Sequence, residues 1–225
     1  MREASRVSTA CPPRAAILAV AVAVGVGVGV LALASGCGGS AASVTVPMTW
    51  VPTAPMNVNA FAGAMPQSAV FVGPVTDKRQ RPKQVGENVE QGAARPKPVF
   101  PQGEPATFVR DATKLLFQKG GMKVVDSDAS ADRIVTVDLT SFWTREAETY
   151  VADISATYYV KDRSGRELWK GAVSGAAKNW GRSLSAENYQ QVFSDGTVQM
   201  IEALLGDAGF RDALKATGGQ AAGGP

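Results

Sequence analysis

Three consecutive stretches of alternating apolar and polar residues, 133–144, 150–161 and 167–177, constrain the fold more than any other feature of the chain. In each stretch nearly every second residue is apolar, which is the pattern of a strand with one face in a core and the other in water. The sequence Asp-Arg-Ser-Gly at 162–165 predicts a hairpin turn between the second and third strands. The chain therefore contains an antiparallel meander that other elements must cover on one side.

The alternation also assigns side chains to faces. On the buried face of the first strand we expect Val135, Val137, Leu139 and Trp143. On the buried face of the second strand we expect Ala152, Ile154, Ala156, Tyr158 and Val160. The opposite face of the second strand presents Asp153, Ser155 and Thr157, which are ordinary residues for a solvated sheet surface.

Two amphipathic helices flank the meander. The first is predicted at 105–119, where Pro105 suits the first turn, Gly120 and Gly121 end the helix, and one stripe holds Phe108, Ala112, Leu115 and Leu116. The second begins after the capping residue Ser185 and runs to Asp207, with a stripe of Tyr189, Phe193, Gly196, Met200, Ala203 and Leu204. A glycine on that stripe predicts a close approach of the helix to the sheet.

The remaining elements complete an α+β fold. Strands are expected at 67–76 and 122–125, so the order is β-α-β-β-β-β-α, with a single mixed or antiparallel sheet and two main helices on one face. Prolines at 47, 52 and 55 allow 44–59 at best an edge strand. The charged, proline-containing stretch 77–104 is interpreted as a solvated loop, because its basic residues lack the interleaved aromatics of a nucleic-acid site.

The chain starts with an arginine-bearing segment followed by an uncharged apolar run, 15–34. A charged start, an apolar core and small residues at its end are typical of a cleaved export signal. The sequence Ala34-Ser35-Gly36-Cys37 resembles the lipobox of bacterial lipoproteins, although Leu33 stands one place before its usual position. The resemblance implies cleavage between Gly36 and Cys37 and acylation of Cys37, for example with palmitate. It also implies attachment to the outer membrane facing the periplasm, since Gly38 and not Asp follows the cysteine.

The same apolar run is long enough to cross a bilayer without being cleaved. Gly25 and Gly29 even form the G-x-x-x-G spacing that pairs membrane helices. Each glycine, however, costs a helix roughly 1 kcal/mol relative to alanine, which favours the cleaved signal over the anchor. The predicted organisation is a signal peptide at 1–36, an acylated tether and irregular segment at 37–66, an α+β domain at 67–216 and a disordered tail at 217–225.

Composition excludes several classes of function. Histidine is absent, so the commonest general base and metal ligand are missing. Removal of Cys11 with the signal leaves Cys37 alone, which excludes an intrachain disulfide and a Cys/His zinc site. The net charge beyond residue 36 is +1, too small to attract nucleic acid. No nucleophile with a base is found, and Glu146 and Glu148 suggest no catalytic arrangement, so we expect no enzyme, no metal and no cofactor.

Several short motifs together resemble the YajG-type bacterial lipoproteins from about Val70 to Leu214. They are Asp-Lys-Arg at 77–79, Val-Gly at 85–86, Gly-Met-Lys-Val-Val at 121–125, the start of the meander at 131–137 and Phe-Arg-Asp-Ala-Leu at 210–214. The stretch 86–104 departs from the family pattern as an insertion, and 44–66 lies outside the match. The family supplies no catalytic residues.

The resemblance implies a non-enzymatic lipoprotein of the cell envelope that binds or assists an envelope protein. The alternative is a lipid- or glycan-binding module on an aromatic sheet face. The aromatic residues in question are Trp143, Tyr158, Tyr159, Trp169 and Trp180, each of which could equally be packing residues.

Overall fold

The structure, a computed structural model, describes residues 43–89 and 95–215. Its centre is the predicted meander of three long strands: β6 (Arg133–Glu146), β7 (Tyr150–Asp162) and β8 (Glu167–Asn179). These strands pair antiparallel along nearly their whole length. Cys37, the run 15–34, the cleavage site at Gly36 and the tail 217–225 lie outside the described residues.

Two short groups of strands pair with the other edge of β6. Along its first half lies β2 (Ala69–Asp77), parallel to β6 and to β5 (Lys123–Val125). Along its end lies β3 (Gly86–Asn88), followed outward by β4 (Lys97–Gln102) and by β1 (Val44–Pro47) at the edge. The result is one mixed eight-stranded sheet. The predicted α+β class with a single sheet is confirmed, with three strands more than the sequence predicted.

The prediction that 77–104 is a solvated loop is wrong, because β3 and β4 lie within it. A run of charged residues was interpreted as loop, yet its residues pair as strands, and the pairing also shows why proline is tolerated. Pro98 lies opposite Glu87 of β3 where β1 has not yet begun to pair, and Pro101 lies opposite Val46 of β1 where β3 has ended. Each proline is therefore paired on one side only, so a missing N–H breaks no ladder.

The helices α1 (Pro105–Lys119), α2 (Ala186–Gly206) and α3 (Ala208–Leu214) cover one face of the sheet. Ser185 caps α2 by accepting a hydrogen bond from the Asn188 N–H at 3.5 Å, as predicted. Helix α1 packs on β2 and β5, and α2 packs on β7 and β8. Their inner side chains and those of the sheet form one core.

Gly196 brings α2 into direct contact with the sheet, as the sequence predicted. A Cβ atom at Gly196 would lie 3.0 Å from Ile154 Cγ1. On the facing strand, a Cβ atom at Gly175 would collide with the Gly196 carbonyl oxygen and the Met200 N–H. The two glycines therefore set the distance between α2 and β8.

Helix α2 is buried on two sides and not along one stripe. Its second side lies under residues 47–57, which we call the strap and which connect β1 to the 3-10 helix Asn57–Ala64. Asp195 accepts hydrogen bonds from the Thr53 N–H, the Thr53 hydroxyl and the Ala54 N–H at 2.7, 2.5 and 2.9 Å. Ala203, by contrast, is exposed, so its predicted place in the stripe is wrong.

A β-bulge in β6 reverses which face its side chains occupy. The pairing with β7 shifts register between Leu139 and Ser141, so Phe142 points into the core. The prediction that Trp143 shares the buried face with Leu139 is therefore wrong. Trp143 lies on the opposite, outer face of the sheet, half-buried.

Candidate functional site

The outer face carries a cleft of about 450 Å³ at the point where β2 and β3 separate along β6. The bulge of β6 forms its floor, and the loop between β2 and β3 forms its wall. Its lining is mostly polar and includes two aromatic residues: Arg79, Gln80, Arg81, Gln84, Glu87, Thr140, Ser141, Phe142 and Trp143.

Arg79 builds the wall of this cleft. Its guanidinium binds both carboxylate oxygens of Asp77 at 2.9 and 2.8 Å and donates to the Gln84 and Pro82 carbonyls at 2.9 and 2.8 Å. Burial would raise the pKa of Asp77, but the hydrogen bonds and charge of Arg79 hold it below its ordinary value. The Asp-Lys-Arg motif at 77–79 therefore has a structural role, because the contacts of Arg79 hold the loop between β2 and β3 in its conformation.

Arg81 differs from Arg79 because it is exposed and forms no salt bridge with a carboxylate among the described residues. Its guanidinium carbon lies 5.3 Å from the centre of the Trp143 ring, a cation–π arrangement. Among the described residues, none accepts a hydrogen bond from the Arg81 side chain. The cleft therefore presents an aromatic surface with unused N–H donors above it.

A second group of polar residues surrounds a carboxylate that is buried in the core at the end of β6. Glu146 is 1% exposed and accepts hydrogen bonds from the Tyr189 hydroxyl at 2.6 Å, the Ser183 hydroxyl at 2.8 Å and the Leu184 N–H at 2.9 Å. Asn88 of β3 donates to the same Ser183 hydroxyl at 3.3 Å. We call these five residues the Glu146 cluster.

The electrostatics of this cluster favour a charged Glu146 and neutral tyrosines. Burial by itself would raise the pKa of Glu146, but the hydrogen bonds, with Tyr189 the strongest contributor, hold it below the ordinary value of 4.5. Burial and the neighbouring Glu146 carboxylate raise the pKa values of Tyr189 and Tyr150. The carboxylate oxygens of Glu146 already accept hydrogen bonds from neighbouring residues of the fold. The role of Glu146 is therefore to hold the loop 180–185.

Two side-chain oxygens, one in this cluster and one beside it, lack a hydrogen-bond donor among the described residues. Asn88 Oδ1 and Thr144 Oγ1 are buried and have no hydrogen-bond partner among the described residues. Buried polar atoms of this kind are uncommon in a folded domain. The end of β6 is consequently the least satisfied part of the described core.

The other polar residues that the sequence analysis considered, on β7 and at the end of β6, do not come together as a catalytic group among the described residues. Asp153, Ser155 and Thr157 follow the outer face of β7, as expected, and Thr140 of the bulge donates to the Ser155 carbonyl at 3.0 Å. Glu148 is exposed, while Glu146 is enclosed. Sequence reasoning noticed this pair but not its partners, because Ser183 and Tyr189 come from another part of the chain.

The aromatic residues divide between core and surface. Tyr158 is fully buried, with its hydroxyl 3.1 Å from that of Thr113, and Trp169 packs against Phe210. Tyr159 lies on the outer face beneath the Lys170 ammonium, 5.2 Å from the ring centre. Trp180 is exposed. The five aromatics therefore do not form one face.

Residues 43–89 and 95–215 hold neither a metal-binding cluster nor a membrane-spanning helix. No group of three or more cysteine and acidic side chains there is placed to hold a metal ion. No helix in that part of the chain has the length and apolarity needed to cross a membrane.

No protein-family model and no curated protein matches the chain. Solved structures with a similar arrangement include a DUF330-family protein from Xanthomonas campestris, at 13% identity and a TM-score of 0.47, over 73% of this chain and 92% of that one. PelC from Paraburkholderia phytofirmans, a dodecamer, has 12% sequence identity and a TM-score of 0.40, over 68% of this chain and 91% of PelC. A minor lipoprotein from Acinetobacter baumannii has 8% sequence identity and a TM-score of 0.35, over 62% of this chain and 93% of that lipoprotein. Bacterial lipoproteins are thus among the structural neighbours, and the YajG-type resemblance stays a prediction.

Proposed function

We propose that the chain is a lipid-anchored protein of the bacterial cell envelope, held in the outer membrane and facing the periplasm. The observation that carries this proposal is Ala34-Ser35-Gly36-Cys37, placed directly after the uncharged run 15–34. Cleavage before Cys37 leaves a cysteine with no intrachain partner, free to be acylated. Each buried methylene of an acyl chain contributes about 0.8 kcal/mol, so two or more chains make the attachment stable.

Substitution of Cys37 tests the anchor, and Cys11 offers a matched control within the same signal. We expect Cys37→Ser to accumulate as an unprocessed precursor that takes up no labelled palmitate. Cys11→Ser removes the other cysteine but leaves the lipobox intact, so it should be processed and labelled like the wild type. Normal processing of Cys37→Ser would support a different export route, and an unprocessed wild type would support the uncleaved membrane anchor.

The proposed role of the domain is to bind an envelope protein without catalysing a reaction. The support is that the chain lacks histidine and that its enclosed carboxylate, Glu146, is engaged by the fold. Cross-linking in intact cells tests this role. We expect wild-type protein to be recovered with one discrete membrane complex, and Cys37→Ser to lose that association. Recovery of the acylated protein as an uncomplexed monomer would contradict it.

A second candidate function is glycan binding, favoured by the cleft around Trp143. A half-buried indole beside hydroxyl, amide and guanidinium groups is the chemistry that sugars require, whereas a lipid tail would need an apolar lining. Calorimetric titration with a soluble peptidoglycan disaccharide-peptide tests this candidate. We expect Trp143→Ala to abolish binding and Trp180→Phe, outside the cleft, to preserve it. Equal binding by wild type and Trp143→Ala, or no binding by either, would exclude the cleft.

A further inference from the structure

Two large apolar side chains are exposed in the described part of the chain, and both lie at the same end of the sheet. Trp180, which directly follows β8, is 68% exposed, and Val151 of β7 is 43% exposed. Lys178 of β8 pairs with Val151, and its ammonium lies 5.7 Å from the centre of the Trp180 ring. We call these three residues, with the flanking exposed Arg145 and Arg182, the Trp180 patch.

The fold holds this patch in place from below. The Arg182 carbonyl accepts hydrogen bonds from the Tyr150 hydroxyl at 2.5 Å and from Asn188 Nδ2 at 3.2 Å. Leu184, with a left-handed φ of 57°, donates its N–H to Glu146. The Glu146 cluster therefore fixes the loop that begins with Trp180. The exposed ring thus stands at the start of a loop whose later residues, 182–185, are hydrogen-bonded to the buried network.

The chain enters the domain at this same end of the sheet. Val44, the first residue of β1, pairs with Val99, which lies level with Gly86 and so with Thr144 of β6. Because β1 is parallel to β4 and β4 is antiparallel to β3, the backbone preceding Val44 points toward the Glu146 end. The hairpin at 163–166 lies at the opposite end.

Chain length limits how far the domain can stand from its anchor. Residues 38–43 separate Cys37 from β1, and a fully extended chain spans at most about 3.6 Å per residue, or roughly 25 Å here. That distance is less than the length of β6. The end of the sheet that receives the tether is therefore the end held nearest the membrane.

The chemistry of the patch fits a lipid–water interface. Tryptophan is enriched at that depth because its ring is apolar and its N–H is polar. Lysine and arginine lay their methylene stems along apolar surface and place their charges among anionic headgroups. Carboxylates nearby are Glu87 beside Arg145, Glu148 in the turn after β6, and Asp153, two residues from Val151 on β7. The patch is therefore mixed in charge, and its fit to the interface rests on the indole, on Val151 and on the long stems of Lys178 and Arg182.

We propose that the Trp180 patch rests on the membrane that holds the acyl chains, with Trp180 and Val151 at the headgroup level. This orientation rests on the proposed lipid anchor at Cys37. It places the hairpin 163–166 and the opposite end of the sheet away from the membrane, where a periplasmic partner can reach them. The partner-binding surface and the membrane-binding surface are then at opposite ends of one rigid sheet.

Quenching of tryptophan fluorescence by lipid tests the orientation on the acylated mature protein, which begins at Cys37. The protein is reconstituted into vesicles of phosphatidylethanolamine and phosphatidylglycerol that carry brominated acyl chains. Of the four tryptophans, we expect Trp180 alone to be quenched. Trp180→Phe should lose most of the quenching, while Trp143→Phe, a control on the outer face, should keep it. Both variants change partly or fully exposed rings, and circular dichroism verifies that they fold.

The outcomes separate this inference from the lipid anchor itself. Wild-type protein that floats with the vesicles but is quenched equally in Trp180→Phe overturns the patch and leaves the anchor standing. Wild-type protein that does not float overturns both. A photo-cross-linker at position 180 that captures a protein and no lipid also overturns the membrane assignment, because it identifies the patch as a protein-binding surface.

Discussion

At the scale of single residues, Glu146 links the stability of the fold to pH. It is ionised although enclosed, because hydroxyl and backbone donors surround it. The pKa of Glu146 is lower in the folded chain than its ordinary value of 4.5. The ionised carboxylate therefore stabilises the fold above about pH 4.5, and this contribution is lost as the pH falls through the lowered pKa.

Replacement of this carboxylate should therefore change the pH dependence of unfolding. We expect Glu146→Gln to lower the free energy of unfolding by about 2–3 kcal/mol at pH 7, because hydrogen bonds to a charged group are lost. The difference from wild type should shrink as the pH falls below 4.5. Glu148→Gln changes an exposed neighbour and should alter stability by less than about 0.5 kcal/mol. Urea unfolding from pH 7 to pH 3 measures both, and a pH-independent gap for Glu146→Gln would contradict the assignment.

Gly175 makes a second residue-scale prediction. A methyl group there would collide with the backbone of α2, which cannot move without separating from the sheet. We expect Gly175→Ala to cost at least about 2 kcal/mol of stability. Gly206→Ala, at the open end of the same helix, meets no atom within 4 Å and should be neutral or slightly stabilising. Thermal unfolding of the two variants compares them, and equal melting temperatures would refute the close approach.

At the scale of elements, the periodicity of apolar residues predicted those features that are determined within a single strand or helix. The alternation in β7 and the stripe of α1 are local patterns, so the meander and the first helix follow from the sequence. The bulge at Thr140 has no such pattern, and it moved Trp143 to the outer face. Hydrogen bonds in the Glu146 cluster join residues separated by 37 to 95 positions, so only the tertiary fold brings them together.

The strap is an element whose attachment was not visible in the sequence. Asp195 holds it through two backbone N–H groups and the Thr53 hydroxyl. We expect Asp195→Ala to lose about 1–3 kcal/mol of stability and to speed hydrogen exchange at the amides of Thr53 and Ala54. Gln199→Ala, exposed on the same helix, should leave both amides protected. Unchanged exchange in Asp195→Ala would mean that other contacts retain the strap.

At the scale of the whole molecule, the two ends of the sheet differ in what they carry. The Glu146 end receives the chain from Cys37, carries the Trp180 patch and contains the enclosed carboxylate that fixes the loop 180–185. The outer face carries the Trp143 cleft over residues 140–143, in the second half of β6. An α+β fold with one covered face could be predicted from the sequence, but this polarity could not, because it depends on the register of β1, β3, β4 and β6.

The account depends most on the covalent state of Cys37, which mass spectrometry of the wild-type protein from its native membrane measures directly. We expect the abundant species to begin at Cys37 and to carry a mass increment equal to its attached acyl chains. Its N-terminal peptide should partition as a lipopeptide, and its remaining sequence should run unmodified from Gly38. An abundant species with an intact Met1 and no acyl chain would contradict the lipid anchor and leave the run 15–34 as an uncleaved membrane segment.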